Sequence, residues 1–151
     1  MASCRCFFEA FSEKSSAFGG ISDQRIRVGG LVVSQKQILV ADDDEAIQLC
    51  LAEISLQEGW ALSFARDGEE CLEKIKKENP DLLILDQRMP RLTGEAVLAQ
   101  LEAGGKVPPV ILISAEKDLT RFGRFPFLVK VLSKPFDLDE FVSLVNHQIS
   151  S

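Results

Sequence analysis

From residue 37 onward the sequence predicts a doubly wound α/β fold on a five-stranded parallel sheet, a (βα)5 unit, and three observations carry that expectation. Short apolar runs rich in Val, Ile and Leu alternate with segments whose apolar residues recur every three or four positions. Turn and stop signals, Asp67-Gly68, Asn79-Pro80 and Gly104-Gly105, fall between them. A polar or charged residue follows most of the apolar runs: Asp42 and Asp43, Asp86, Ser114 and Lys134.

Ile38-Leu39-Val40-Ala41 is short and continuously apolar, which fits a strand covered on both faces. Ile47, Leu51 and Ile54 then trace one face of the first helix. Ala61 to Ala65 alternates weakly as a second strand, and Cys71, Leu72 and Ile75 face inward from a second helix that ends before Asn79-Pro80. Leu82-Leu83-Ile84-Leu85 is the third strand and runs directly into Asp86. The third helix spans about Gly94 to Ala103 and is stopped by Gly104-Gly105. Val110 to Ile113 is a fourth buried strand ending at Ser114, and Phe127 to Leu132 is the fifth. A last helix carries Leu138, Phe141, Val142, Val145 and Ile149 as its inner stripe.

A chain of 151 residues, 46% hydrophobic and 26% charged, has the balance of one soluble globular domain. No apolar run is long enough to span a bilayer and no signal peptide is evident, so the expectation is a cytoplasmic protein without a membrane partner. The four cysteines, Cys4, Cys6, Cys50 and Cys71, lack the paired spacing of zinc sites, and Cys50 and Cys71 read as buried free thiols. The first 36 residues carry a net charge of +2 and the remainder −8. An acidic body argues against nucleic acid as a direct partner. Residues 1 to 36 show no sustained period, contain Gly19-Gly20 and Gly29-Gly30, and read as a flexible N-terminal extension in which Cys6 to Phe11 forms at most one helical turn. Translation starting at Leu31, Val32 or Val33 is an open alternative for that segment.

Parallel strands joined by right-handed crossovers all point one way, so the residues at their carboxyl ends share one edge of the sheet. Asp42, Asp43, Asp86, Ser114 and Lys134 therefore converge. Crowded carboxylates repel and drive a proton onto one of their number unless a hard divalent cation neutralises them, and magnesium suits such an oxygen-rich site. A carboxylate can also attack a phosphoryl group, whose developing charge then needs positive partners; Lys134 and the Ser114 hydroxyl are placed to supply them. Taken singly, each signal has a plainer meaning. Asp42 to Asp44 could cap a helix, and Asp44 and Glu45 are assigned to that role, while Ser114 could be a turn residue and Lys134 a solvated charge. His147, the only histidine, reads as a surface residue.

Residues 37 to 151 resemble the receiver domain of two-component response regulators, of the single-domain, chemotaxis-regulator-like type. The likeness rests on Ile38 to Asp44 as the acidic-pair strand, Pro80 to Pro90 with Gly94 as the acceptor strand and loop, Ser114-Ala115, and Lys134-Pro135. It implies a flavodoxin-like fold and phosphorylation of Asp86 by a sensor histidine kinase or histidine phosphotransfer protein. It further implies magnesium held directly by Asp43 and Asp86, by Asp42 through water and by the Arg88 backbone carbonyl. The product is then a self-phosphorylating acceptor that hydrolyses its own aspartyl phosphate, rather than a turnover enzyme. With no DNA-binding segment in the sequence, it would signal by contact with a downstream protein.

The sequence departs from that family in its later part. Val131 stands where receivers usually carry a switching aromatic residue, and residues 115 to 128 lack an amphipathic fourth helix, with Pro126 set to break one. Signalling is accordingly expected through the loop after Ser114 and through exposed phenylalanines among Phe122, Phe125 and Phe127. Arg88 and Glu116 are expected to pair across the mouth of the site and shield the phosphoryl group from water. Two other readings compete. A degenerate receiver would act as a constitutive adaptor without phosphorylation, and a haloacid dehalogenase-type phosphatase would need a second Asp where Arg88 stands.

Overall fold

The computed structural model describes residues 25–150. Strands β3 (Gln37–Ala41), β4 (Ala61–Ala65), β5 (Leu82–Asp86), β6 (Val110–Ser114) and β7 (Leu128–Ser133) form one parallel sheet in the order β4-β3-β5-β6-β7. Helices α1 (Glu45–Glu58), α2 (Gly68–Glu78), α3 (Gly94–Gly104) and α4 (Leu138–Ser150) lie between and after the strands. The chain moves outward from β3 to β4, returns past β3 to β5 and continues in the opposite direction. The strand order therefore reverses between β3 and β5, which is where open α/β sheets place their ligands.

Each central strand divides its side chains between two cores because successive residues point to opposite faces. Leu39, Ala41, Leu83, Leu85, Val110 and Leu112 pack with Cys71 and Ile75 of α2 and with Val97, Leu98 and Leu101 of α3. Ile38, Val40, Leu82, Ile84, Ile111 and Ile113 pack with Leu51 of α1 and with Phe141 and Val145 of α4. Continuous apolar runs are the consequence of being covered on both sides. Trp60, at the entry to β4, is buried and donates from Nε1 to Asn146 Oδ1 at 2.9 Å, while Asn146 Nδ2 donates to Glu58 Oε2 at 2.9 Å, tying α1 to α4. Cys71 is a buried free thiol as expected, whereas Cys50 is only half-buried.

Helix boundaries follow local chemistry. Asp44, Asp67 and Thr93 are N-caps whose side chains accept from Ala46, Glu70 and Ala96 backbone N–H groups. The expected end of α2 before Asn79-Pro80 is observed, and Asp67, where a turn was expected, caps its start.

Two expectations are corrected. No strand was expected before Gln37, yet β1 (Arg25–Val28) and β2 (Leu31–Ser34) form an antiparallel hairpin. Gly29 and Gly30, with φ of 58° and 86°, make its two-residue turn, and that left-handed pair is what a tight hairpin needs. The remainder of the predicted extension, including Cys6 to Phe11, lies outside the described residues. The second correction concerns the phenylalanines. A single 3-10 helix (Thr120–Arg124) does replace a regular helix between β6 and β7, but Phe122 and Phe125 are buried at 0% and 2% exposure, and Phe127 is half-buried against the same core. With no long helix over this part of the sheet, the rings themselves cover it, and the Phe125 and Phe127 centroids lie 5.7 Å apart.

Phe122→Ala is expected to lower the unfolding free energy by roughly 3–5 kcal/mol in urea titration, because it empties a core site. A loss below about 0.5 kcal/mol would instead mark an exposed ring.

Candidate functional site

Adjacent strands at the switch point bring the acids together. Asp42 follows β3 and is buried; its N–H donates to the Ala65 carbonyl at 3.1 Å and its Oδ1 accepts from the Asp44 N–H at 2.9 Å. Gln48 Nε2 donates to the Asp42 carbonyl at 2.6 Å, so the turn into α1 is fixed from both ends. Asp43 is exposed, while Asp86, the last residue of β5, is buried. One carboxylate oxygen from each of Asp42, Asp43 and Asp86 lies within 4.8 Å of the others. Asp44 and Glu45 stand apart from this cluster at the start of α1, as expected of capping residues.

Lys134 follows β7 and reaches Asp86, with Nζ 3.1 Å from Oδ1. Its N–H donates to the Ser114 carbonyl at 2.9 Å, which holds the ends of β6 and β7 side by side, and the peptide to Pro135 is cis. Ser114 is fully buried, and its hydroxyl oxygen accepts from the Glu116 N–H at 3.1 Å. Arg88 lies two residues beyond Asp86 with an exposed side chain. Burial pushes the Asp42 carboxyl up to about 6, helped by the Asp86 charge and opposed by the Asp44 N–H and by Lys134. Burial also raises Asp86, against the hydrogen bond and charge of Lys134. Clustered carboxylates that resist ionisation are the donor set a hard divalent cation fits.

The model of the response regulator receiver domain matches residues 38–146. The chain belongs to that family. The receiver is 35% identical over 119 residues to the DNA-binding transcriptional regulator NtrC of Escherichia coli K12, and 36% identical over 109 residues to the response regulator MprA of Mycobacterium ulcerans. Those matches take in 75% and 71% of this chain but only 24% and 47% of the two relatives, so the chain spans a quarter to a half of their length. Among solved structures, the receiver domain of the Francisella response regulator 1452 superposes with a TM-score of 0.71 at 31% identity, covering 77% of this chain and 98% of that one. The response regulator TrrA of Thermotoga maritima, solved in complex with Mg2+ and BeF, superposes with a TM-score of 0.65 at 32% identity, covering 76% and 99%.

Sequence reasoning brought the receiver's acids, Ser114 and Lys134 to one edge but missed Gln87. That side chain is buried; its Oε1 accepts from the Glu95 N–H at 2.8 Å and its Nε2 lies 3.5 Å from Glu116 Oε1. Gln87 thereby ties the residue after Asp86 to the start of α3. Gly94 completes the brace: its N–H donates to the Gln87 carbonyl at 2.9 Å, and a Cβ there would lie 2.8 Å from the Asp86 carbonyl oxygen. The signal available beforehand was a polar residue directly after a fully apolar strand. The expected Arg88–Glu116 pair is not the one formed. Glu116 pairs with Arg121 instead, Nη2 to Oε2 at 2.7 Å, because the 3-10 turn carries Arg121 back over the loop.

Removing one acid tests the electrostatics. An Asp42 pKa raised from 3.8 to about 6 means the folded state holds a proton that the unfolded chain releases, so stability falls as pH rises through that window. Asp42→Asn is expected to raise the melting temperature of chelator-treated protein at pH 7.5 and to lose that advantage below pH 4. An unchanged difference across that range would show that the Asp42 charge is not the cause.

Proposed function

We propose that this receiver domain is the phosphoacceptor of a phosphorelay, taking a phosphoryl group on Asp86 from the phosphohistidine of a sensor histidine kinase or a histidine phosphotransfer protein. The observation that carries the reading is the 3.1 Å contact of Lys134 Nζ with Asp86 Oδ1, which sets an ammonium beside the one acid that ends its strand within a three-carboxylate cluster. In the transfer, an Asp86 carboxylate oxygen bonds to phosphorus as the phosphorus–nitrogen bond of the donor breaks, and the electron pair leaves on the imidazole nitrogen. Lys134 and the Ser114 hydroxyl lie at the neighbouring strand ends and neutralise charge on the transferring oxygens.

Asp42, Asp43, Asp86 and the Arg88 backbone carbonyl would hold a magnesium ion, which when bound supplies positive charge to the same oxygens. The Mg2+ and BeF in the TrrA complex support magnesium as the ion. Burial of Asp86 and Ser114 keeps water from most of the acceptor, so the aspartyl phosphate persists long enough to be read by a downstream protein before hydrolysis regenerates the carboxylate. The receiver is thus a self-phosphorylating acceptor rather than a turnover enzyme, acting in the cytoplasm by protein contact.

Intact-mass spectrometry after incubation with acetyl phosphate and magnesium is expected to show one added phosphoryl group. The adduct should be absent from Asp86→Ala and from chelator-treated protein. No adduct under any condition would overturn the reading in favour of a constitutive adaptor.

A further inference from the structure

The 3-10 turn that replaces a regular helix carries Arg121, and its guanidinium bridges two acids from different elements. Nη2 lies 2.7 Å from Glu116 Oε2, and Nε lies 3.2 Å from Glu95 Oε2. The same guanidinium sits over the Phe122 ring, 4.8 Å from its centroid, and that ring is fully buried, so the bridge stands on a fixed base. Arg124 adds a looser contact to Glu95 at 3.7 Å.

Both acids belong to residues that contact the immediate neighbours of the acceptor. The Glu116 N–H donates to the Ser114 hydroxyl oxygen at 3.1 Å, and Glu116 Oε1 lies 3.5 Å from the side-chain amide of Gln87, the residue directly after Asp86. The Glu95 N–H donates to the other end of that same Gln87 side chain at 2.8 Å. Asp42, Asp43 and Asp86 bring three carboxylates together with Lys134 paired to Asp86, and Glu116, held to Ser114 through its N–H, adds a fourth negative charge at the neighbouring strand end. A phosphodonor is itself an anion, and without compensation Glu116 would repel it where it must enter.

We propose that Arg121 is a positioning residue that neutralises Glu116 at the mouth of the acceptor site and so admits an anionic phosphodonor to Asp86. The inference rests on the phosphoacceptor reading above and adds to it a residue outside the strand-end cluster. Ion pairs as open as this one, with Arg121 47% exposed, contribute little to folding. Charge at the mouth of a site acts instead on the rate at which a charged reactant arrives. The device therefore separates kinetics from stability.

The test compares wild type, Arg121→Gln, Glu116→Gln and the double variant as full chains with magnesium and acetyl phosphate at low ionic strength. The readout is the second-order rate constant of phosphorylation by intact mass, with melting temperatures measured alongside. Arg121→Gln is expected to slow phosphorylation about three- to tenfold with little change in melting temperature, and the deficit should shrink in high salt. Adding Glu116→Gln should restore the wild-type rate, which a merely structural role for Arg121 would not allow. An Arg121→Gln rate equal to wild type, or a double variant as slow as Arg121→Gln, would overturn the inference while leaving the acceptor reading intact. A wild type that takes up no phosphoryl group would instead remove both.

Discussion

Repulsion among Asp42, Asp43 and Asp86 is the constraint on which the carboxyl edge of this sheet is organised. Their oxygens lie within 4.8 Å because β3 and β5 are hydrogen-bonded neighbours and each delivers an acid at its end. Two of the three are buried, so neither water nor distance relieves the crowding. Relief comes from fixed donors: the Asp44 N–H on Asp42 and the Lys134 ammonium on Asp86. A backbone dipole and one ammonium do not cancel three negative charges, and burial first, with the neighbouring carboxylate charge adding to it, raises the pKa values of Asp42 and Asp86. The sheet is thus folded around a deficit of positive charge that a cation can fill.

Holding such a deficit open requires rigid walls. The acids sit at the ends of strands whose side chains fill two cores, and the loop after Asp86 is locked by Gln87, which spans from Glu95 to Glu116, and by Gly94, which admits no Cβ against the Asp86 carbonyl. The backbones of Ser114 and Lys134 are joined at the ends of β6 and β7 by the Lys134 N–H to Ser114 carbonyl hydrogen bond, and the ammonium is held separately by Asp86. Preorganisation of this kind is worth more than the individual contacts, since no reorganisation is needed when charge develops.

The five strands, the four helices and the convergence of Asp42, Asp43, Asp86, Ser114 and Lys134 were legible because each depends on local pattern plus one topological rule. Leu82 to Leu85 can only be a strand covered on both sides, and whatever follows it must emerge at the carboxyl edge. What escaped was set by pairings between segments distant in sequence or by the meaning of glycine. Gly29-Gly30 reads equally as a loose linker or as a tight turn, and only the pairing of Arg25–Val28 with Leu31–Ser34 decides. The phenylalanines after Ser114 carry no helical period, so their burial depends on a space in the sheet cover that the sequence does not display. Glu116 has Arg88 and Arg121 as candidate partners by type, and the choice is made by the direction of a single 3-10 turn.

That turn also changes how the edge of the sheet can respond. Val131, half-buried against the core, occupies the position at which a large ring would swing between inside and outside, and a β-branched side chain is stiff at χ1 and too short to make that exchange. Phe122 and Phe125 are buried rather than free to move. The connection that remains between the acceptor and the outer face runs from the Ser114 hydroxyl through the Glu116 N–H, and from the Glu116 carboxylate to Arg121. Polar contacts of this geometry are short-ranged and directional, so a small movement is enough to break them, whereas a packed core resists the same movement. The replacement of a helix by a short turn thereby puts the most breakable contacts of this segment next to the group whose chemistry changes.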